Sequence, residues 1–262
     1  MIKGHDFPDF FATLTHGVTI ITPNRRLSAT LHKLYQQYRL TNLGKPTWET
    51  PDILPLSSWI ERLWQTYINA TFTQAPLLLD PMQEEFLWEK IITQSKASDL
   101  LLRISETAHL AKSAWGLLQQ WEIALDHPSF QHEDFWVFKH WATNFQHHCH
   151  EHRLIPQANL IAHLIQFIQE GQLPIPNQII LLGFTESYPQ LNSLMNTFST
   201  AGSKIQHLQL SNQIGSFSRL KLSDTEAEVI IAARYAKSIH TNNASATIGI
   251  VIPTLDKIRD RV

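Results

Sequence analysis

The 262-residue chain has one cysteine, Cys149, which excludes an internal disulfide and suits a reducing compartment. It is also poor in charge. Asp, Glu, Lys and Arg make up 17% of it, against roughly 25% in an average domain. The formal net charge of -2 gives no overall electrostatic case for nucleic acid, so any such contact has to be local. No run of about 18 apolar residues occurs, so no membrane span is expected. The opening MIKGHDFPDF has no apolar core of signal-peptide length, and the expected location is cytoplasmic. Several motifs are missing as well. There is no G-x-x-x-x-G-K-[ST], no G-x-G-x-x-G, no H-E-x-x-H and no G-x-S-x-G. Those gaps leave a phosphate cradle, a dinucleotide fingerprint, a zinc-protease helix and a nucleophile elbow without a sequence basis, and no cofactor is expected. No period of 20–50 residues points to a solenoid.

What is present is a large apolar complement. Hydrophobic residues reach 43%, with eight Trp and thirteen Phe. Such side chains need broad buried surfaces, and a chain this long can bury roughly three quarters of its unfolded surface. Fourteen His make the charge sensitive to pH between about 5 and 7.

Residues 18–21 are β-branched and continuous, which predicts a strand covered on both faces. Thr22 is the expected cap of the next helix and Pro23 fits its first turn. Leu27, Leu31, Leu34, Tyr35 and Tyr38 follow at helical spacing. A short strand is expected at 53–56. Ser58 and Glu61 make a capping-box pattern before Ile60, Leu63, Trp64 and Tyr67. Residues 80–171 change character. Four helices are predicted, one opening at Asp80-Pro81 with Leu87, Trp88, Ile91 and Ile92, and three more at about 98–121, 133–152 and 156–170, with no convincing strand among them. Strand and helix then alternate again, with strands expected at 178–182, 204–210 and 247–252. Ser223 and Glu226 form another capping-box pattern. Alternation of this kind predicts an α/β fold with a parallel sheet, interrupted by an all-helical insertion. The predicted organisation is a split α/β domain at 1–79 and 172–222, the insertion at 80–171, and the start of a second α/β unit at 223–262. That last unit stops just after its strand, which predicts a piece of a longer protein.

Two stretches invite chemistry. In HHCHEH, residues 147–152, only His148 and His152 stand at the i, i+4 spacing of a ligand pair. Two ligands fall short of the four of a structural zinc site, so this pair is the sole weak metal candidate, and Cys149 is expected in the core. In Thr22-Pro23-Asn24-Arg25-Arg26, two cations occupy a helix's first turn, where they oppose its dipole. They are paired with nearby carboxylates, or they meet a visiting phosphate. Asp224, Glu226 and Glu228 read as ordinary helix N-terminal acids.

These residues carry a resemblance. TIITPNRRLSATLHKLY, W-x-x-P-x-I-L-P-L-S-S-W-I-x-x-L-W from Trp48 to Trp64, QIILLGFTESYPQLNSLMNTF, and DTEAEVIIAARYAKSI with IGIVIPTL form four blocks. They resemble the N-terminal part of bacterial DNA-repair proteins similar to the B subunit of the AddAB helicase-nuclease and the gamma subunit of exodeoxyribonuclease V. The resemblance implies an inactivated superfamily-1 helicase with a RecA-like (P-loop NTPase-like) domain split by a helical insertion. It implies that Gly183-Phe184 stands where the Walker B acidic pair would be, and that no ATP is hydrolysed. It also implies that Thr22, Asn24, Arg25 and Arg26, with Ser57 and Ser58 at the next helix start, face single-stranded DNA. A helicase or nuclease partner subunit is implied too. The family's nuclease domain lies beyond this sequence, so that activity is not carried over. Two other functions fit the residues. One is a protein-interaction scaffold built on the Trp-rich helical block. The other is a small-ligand enzyme at the sheet's C-terminal edge, where Asn24 and Glu186 are the polar members.

Overall fold

The computed structural model describes residues 7–12, 14, 17–43, 50–71, 75–128, 130, 132–210, 217–253, 255 and 259. It forms two compact units, Met1–Asn212 and Gln213–Val262.

The first unit is built on a parallel sheet of β1 (Val18–Thr22), β2 (Asp52–Pro55), β5 (Gln178–Leu182) and β6 (Lys204–Leu208), in the order β2-β1-β5-β6. β1 and β5 are interior strands with four of five residues buried each, as the β-branched run of β1 and the apolar run of β5 lead one to expect. β6 is an edge strand and is largely exposed. One face is covered by α1 (Phe7–Ala12) and α2 (Arg25–Leu43), whose Phe11, Leu31 and Tyr35 pack on Ile20, Ile53, Ile180 and Leu182. The other face is covered by α3 (Leu56–Thr71), α7 (Leu160–Gln169) and α8 (Pro189–Thr200). There Trp59, Leu164, Leu191 and Phe198 lie over Ile21, Ile179 and Leu181. Each fully buried large side chain contributes about 1.5–3 kcal/mol, so two such layers explain how a chain with few charges holds its sheet.

The helical block has its own core. α4 (Pro81–Thr93), α5 (Ile104–Gln120) and α6 (Glu133–Glu151) bring together Trp88, Trp115, Trp141, Phe145 and Cys149. The rings of Trp88 and Phe145 stack with centroids 4.1 Å apart. α4 starts at a full capping box: Asp80 accepts from the backbone of Met82 and Gln83, and the Gln83 side chain accepts from the Asp80 N–H. The helix predicted at 98–121 is a 3-10 turn (Ser98–Leu100) followed by α5. The one predicted at 156–170 is a 3-10 turn (Gln157–Asn159) followed by α7, which packs with the sheet layer.

Three local expectations are corrected. The block does contain a strand: β4 (Leu154–Ile155) pairs in parallel with β3 (Leu77–Leu78), closing the neck through which the chain enters and leaves the block. A two-residue strand is too short for period-2 patterning to reveal. α3 begins at Leu56, so Ser58 lies inside the helix rather than at its cap. Nor do residues 247–252 form a strand, since among the described residues of their unit no neighbour offers a ladder.

The second unit is described by α9 (Thr225–Asn242) and extended segments. Its cap is Asp224, which accepts from the Ala227 N–H at 2.8 Å, one position beyond the expected Ser223.

Candidate nucleic-acid interface

Parallel pairing carries the ends of β1, β2 and β5 to one edge of the sheet. Thr22 stands beside Pro55, and Ile21 beside Leu181. The turns after these strands are therefore neighbours, although their sequences lie more than a hundred residues apart at the extremes.

The β1 turn is organised from within. Thr22 is fully buried, and its hydroxyl donates to the Asn24 carbonyl at 3.0 Å. Asn24 Oδ1 accepts from the Leu27 N–H at 3.0 Å, so Asn24, not Thr22, caps α2 and Pro23 precedes the helix. The resemblance turns Thr22 toward a ligand; its burial instead makes it the residue that shapes the turn. Arg25 and Arg26 occupy the first turn of α2 and are exposed. Neither makes an ion pair among the described residues. Of the two sequence-based alternatives for these cations, pairing with a carboxylate is the one absent among the described residues. Arg62 provides the contrast. It holds Asp52 in a bidentate pair at 2.6 and 2.8 Å, with Thr19 donating to the same carboxylate at 2.6 Å. Burial would raise the Asp52 pKa, but the Arg62 and Thr19 hydrogen bonds outweigh it and hold the carboxyl below its ordinary range. That pair sits at the start of β2, away from the edge formed by the strand ends.

On the neighbouring turn Ser57 is exposed and Ser58 half-buried, both within the first turn of α3. The β5 turn passes through Gly183 at φ +83°, whose N–H continues the ladder to the Leu208 carbonyl at 2.9 Å. A Cβ there would come within 2.5 Å of Leu27 Cδ2, which ties this turn to the first turn of α2. Thr185, Glu186 and Ser187 are exposed beyond it, and Phe184 is half-buried. The structure thus brings Asn24, Arg25, Arg26, Ser57 and Ser58 to one edge and withdraws Thr22 from its surface. Among the described residues no carboxylate pair converges there: Glu186 is the only acid on these turns.

No family model matches this chain, and no curated protein matches it.

The His148 and His152 rings stack 4.1 Å apart, and His152 Nδ1 lies 3.0 Å from the His148 carbonyl. Burial and the adjacent His152 hold the His148 pKa low. No group of three His, Cys, Asp or Glu suited to a metal exists among the described residues. Cys149 is buried on the core face, as its helical phase predicts, and burial pushes its thiol up to about 12, which leaves it a poor nucleophile.

Glu84 is a buried acid that the sequence pattern did not single out. It is 2% exposed at the neck, where its carboxylate accepts from the Gln157 N–H at 3.3 Å, and burial raises its pKa. A signal for it exists: Glu84 shares a helix face with Leu87, Trp88 and Ile91. No helix among the described residues is long and apolar enough to cross a membrane.

Proposed function

We propose that the chain is a non-catalytic, RecA-like, helicase-related module of a DNA repair and recombination machine. It takes hold of the phosphates of single-stranded DNA at the C-terminal edge of its parallel sheet and supports a helicase or nuclease partner subunit. The observation that carries this is the exposed cation pair Arg25 and Arg26, without an ion pair among the described residues, on a capped helix start whose strand end neighbours the one that leads to the exposed Ser57. Free N–H groups at a helix start, two guanidinium groups and a hydroxyl form a phosphate-binding set without a P-loop. The lack of nucleotide-binding motifs and the four-block resemblance to inactivated helicase subunits support the same function.

The test is salt-dependent fluorescence anisotropy with a labelled single-stranded oligonucleotide. Each phosphate contact on a single strand adds about 0.7 to the slope of log K against log salt. Arg25→Ala with Arg26→Ala lowers the slope by about 1.4 if both cations touch phosphate. No binding by the wild type at low salt would overturn the proposal, and an unchanged slope would move the contact elsewhere.

A second function, a protein-interaction scaffold, has one observation in its favour. Leu110, Leu117 and Trp121 are 67%, 56% and 50% exposed along one side of α5 and its end. Leu110→Asp with Leu117→Asp would then abolish co-purification with the helicase subunit while leaving DNA binding intact.

A further inference from the structure

β6 forms one margin of the parallel sheet, and among the described residues no strand lies beyond it. The Lys204 N–H donates to the Asn177 carbonyl at 3.0 Å, and the Leu208 carbonyl accepts from the Gly183 N–H at 2.9 Å. In a parallel ladder the backbone groups of successive residues point alternately to the two sides. Lys204, Gln206 and Leu208 therefore face β5, while Ile205 and His207 turn their N–H and C=O groups to the open edge. Such a row is a template for another extended chain. β5 separates this edge from β1 and its Arg25–Arg26 turn, so a ligand here is independent of DNA binding at that turn.

A groove flanks β6 on each face of the sheet. The one on the α1 face holds about 320 Å³ and is lined by Phe10, Leu14, Val18 and Ile180 together with Lys204 and Gln206. The one on the α8 face holds about 440 Å³ and is lined by Asn192, Met195, Asn196 and Ser199 together with Ile205 and His207. The side chains of an added strand alternate between the same two faces, so each groove receives every second residue. The first offers apolar surface, and the second mostly amide and hydroxyl groups. Charge is one-sided as well. Neither lining includes a carboxylate, and Lys204 is exposed without an ion pair among the described residues. A lysine on an open edge opposes indiscriminate strand pairing, and a carboxylate opposite it on the incoming strand turns that obstacle into an attraction.

We propose that the β6 edge takes an extended, acidic segment of a protein partner as a further strand of the sheet. A carboxylate of that segment meets Lys204, an apolar side chain enters the α1-face groove, and its polar side chains lie toward the α8-face groove. Its backbone supplies the ladder that the N–H and C=O groups of Ile205 and His207 lack among the described residues. In this mode the backbone bonds give affinity, while the two grooves and the lysine give specificity. A basic segment would set like charges side by side at Lys204.

The probe is the blocked peptide acetyl-Glu-Thr-Val-Thr-Glu-amide, whose sequence reads the same in either strand direction. Its labelled form is titrated with the full chain by fluorescence anisotropy, and amide NMR shifts locate it. The expected result is saturable binding with Kd below about 1 mM, with shifts centred on the Ile205 and His207 amides. The same peptide N-methylated at its central residues should not bind, and acetyl-Lys-Thr-Val-Thr-Lys-amide should bind more weakly. Lys204→Glu should weaken the acidic peptide by at least about threefold and reverse the preference between the two peptides. His207→Pro removes an N–H that points only to the open edge, a place where proline is tolerated, and should weaken binding about two- to tenfold. If His207→Pro does not fold, the charge reversal at Lys204 decides. The Arg25→Ala, Arg26→Ala double variant should bind the acidic peptide as the wild type does. No binding in that range would overturn the proposal, as would indifference to N-methylation or to the peptide's charge. Loss of binding in the double arginine variant would also overturn it, by placing the peptide on the cation pair instead of β6.

Discussion

Gly183→Ala perturbs the point where the β5 turn meets the first turn of α2. At φ +83° an L side chain is strained, at about 1–2 kcal/mol for the left-handed region. The added Cβ would also lie 2.5 Å from Leu27 Cδ2, so the Leu27 side chain must turn away. Leaving its rotamer costs about 0.5–1.5 kcal/mol. Alanine recovers about 0.4–1 kcal/mol by restricting the unfolded chain. The net destabilisation is about 0.5–3 kcal/mol, or roughly 1–12 °C in Tm at about 2–4 °C per kcal/mol for a chain near this size. Urea unfolding of Gly183→Ala, Leu27→Ala and the double variant isolates the contact. A coupling of about 0.5–1.5 kcal/mol is expected, because Leu27→Ala removes the atom that clashes. Gly202→Ala is the comparison: its φ is +108°, but nothing lies within 4 Å of the added Cβ, so no such coupling partner exists. A Gly183→Ala protein as stable as the wild type would refute the backbone assignment. Destabilisation without coupling to Leu27 would refute the link between the two turns.

Glu84→Gln keeps an acceptor for the Gln157 N–H and removes a buried charge. Because burial raises the Glu84 pKa above its ordinary 4.5, the native state holds the proton more tightly than the unfolded chain. Wild-type stability therefore falls as pH rises from about 4.5 through the folded pKa. Thermal unfolding across pH should show the variant more stable at pH 7 and with that fall removed; a less stable variant would contradict this. Trp88→Ala opens a cavity against Phe145 and Trp115 and is expected to cost about 3–5 kcal/mol in urea unfolding. Gly116→Ala, inside α5 with nothing within 4 Å of the new Cβ, is expected to gain about 0.5–1 kcal/mol in the same assay.

Local pattern determined much of this protein. The β-branched run at 18–21 and the largely apolar run at 178–182 point to interior strands, since apolar residues fall on both faces of each. The 3.6-residue spacing of Trp88, Ile91 and Ile92, and of Phe145 and Cys149, marked the core faces of α4 and α6 before any partner was known. The composition and the missing motifs set aside a P-loop and a membrane-spanning helix. Tertiary structure decided what depends on pairing across distance. β3 and β4 exist only because entry and exit of the helical block meet at the neck, 77 residues apart in register. Residues 247–252 have strand composition but no ladder among the described residues, and composition alone cannot make one. The cap of α2 passed from Thr22 to Asn24 because the Thr22 side chain is buried between β1 and the Leu54 carbonyl of β2. Arg25 and Arg26 were visible in the sequence, but their lack of a carboxylate partner among the described residues was not, because ion pairing depends on which chain segments the fold brings within a few ångströms.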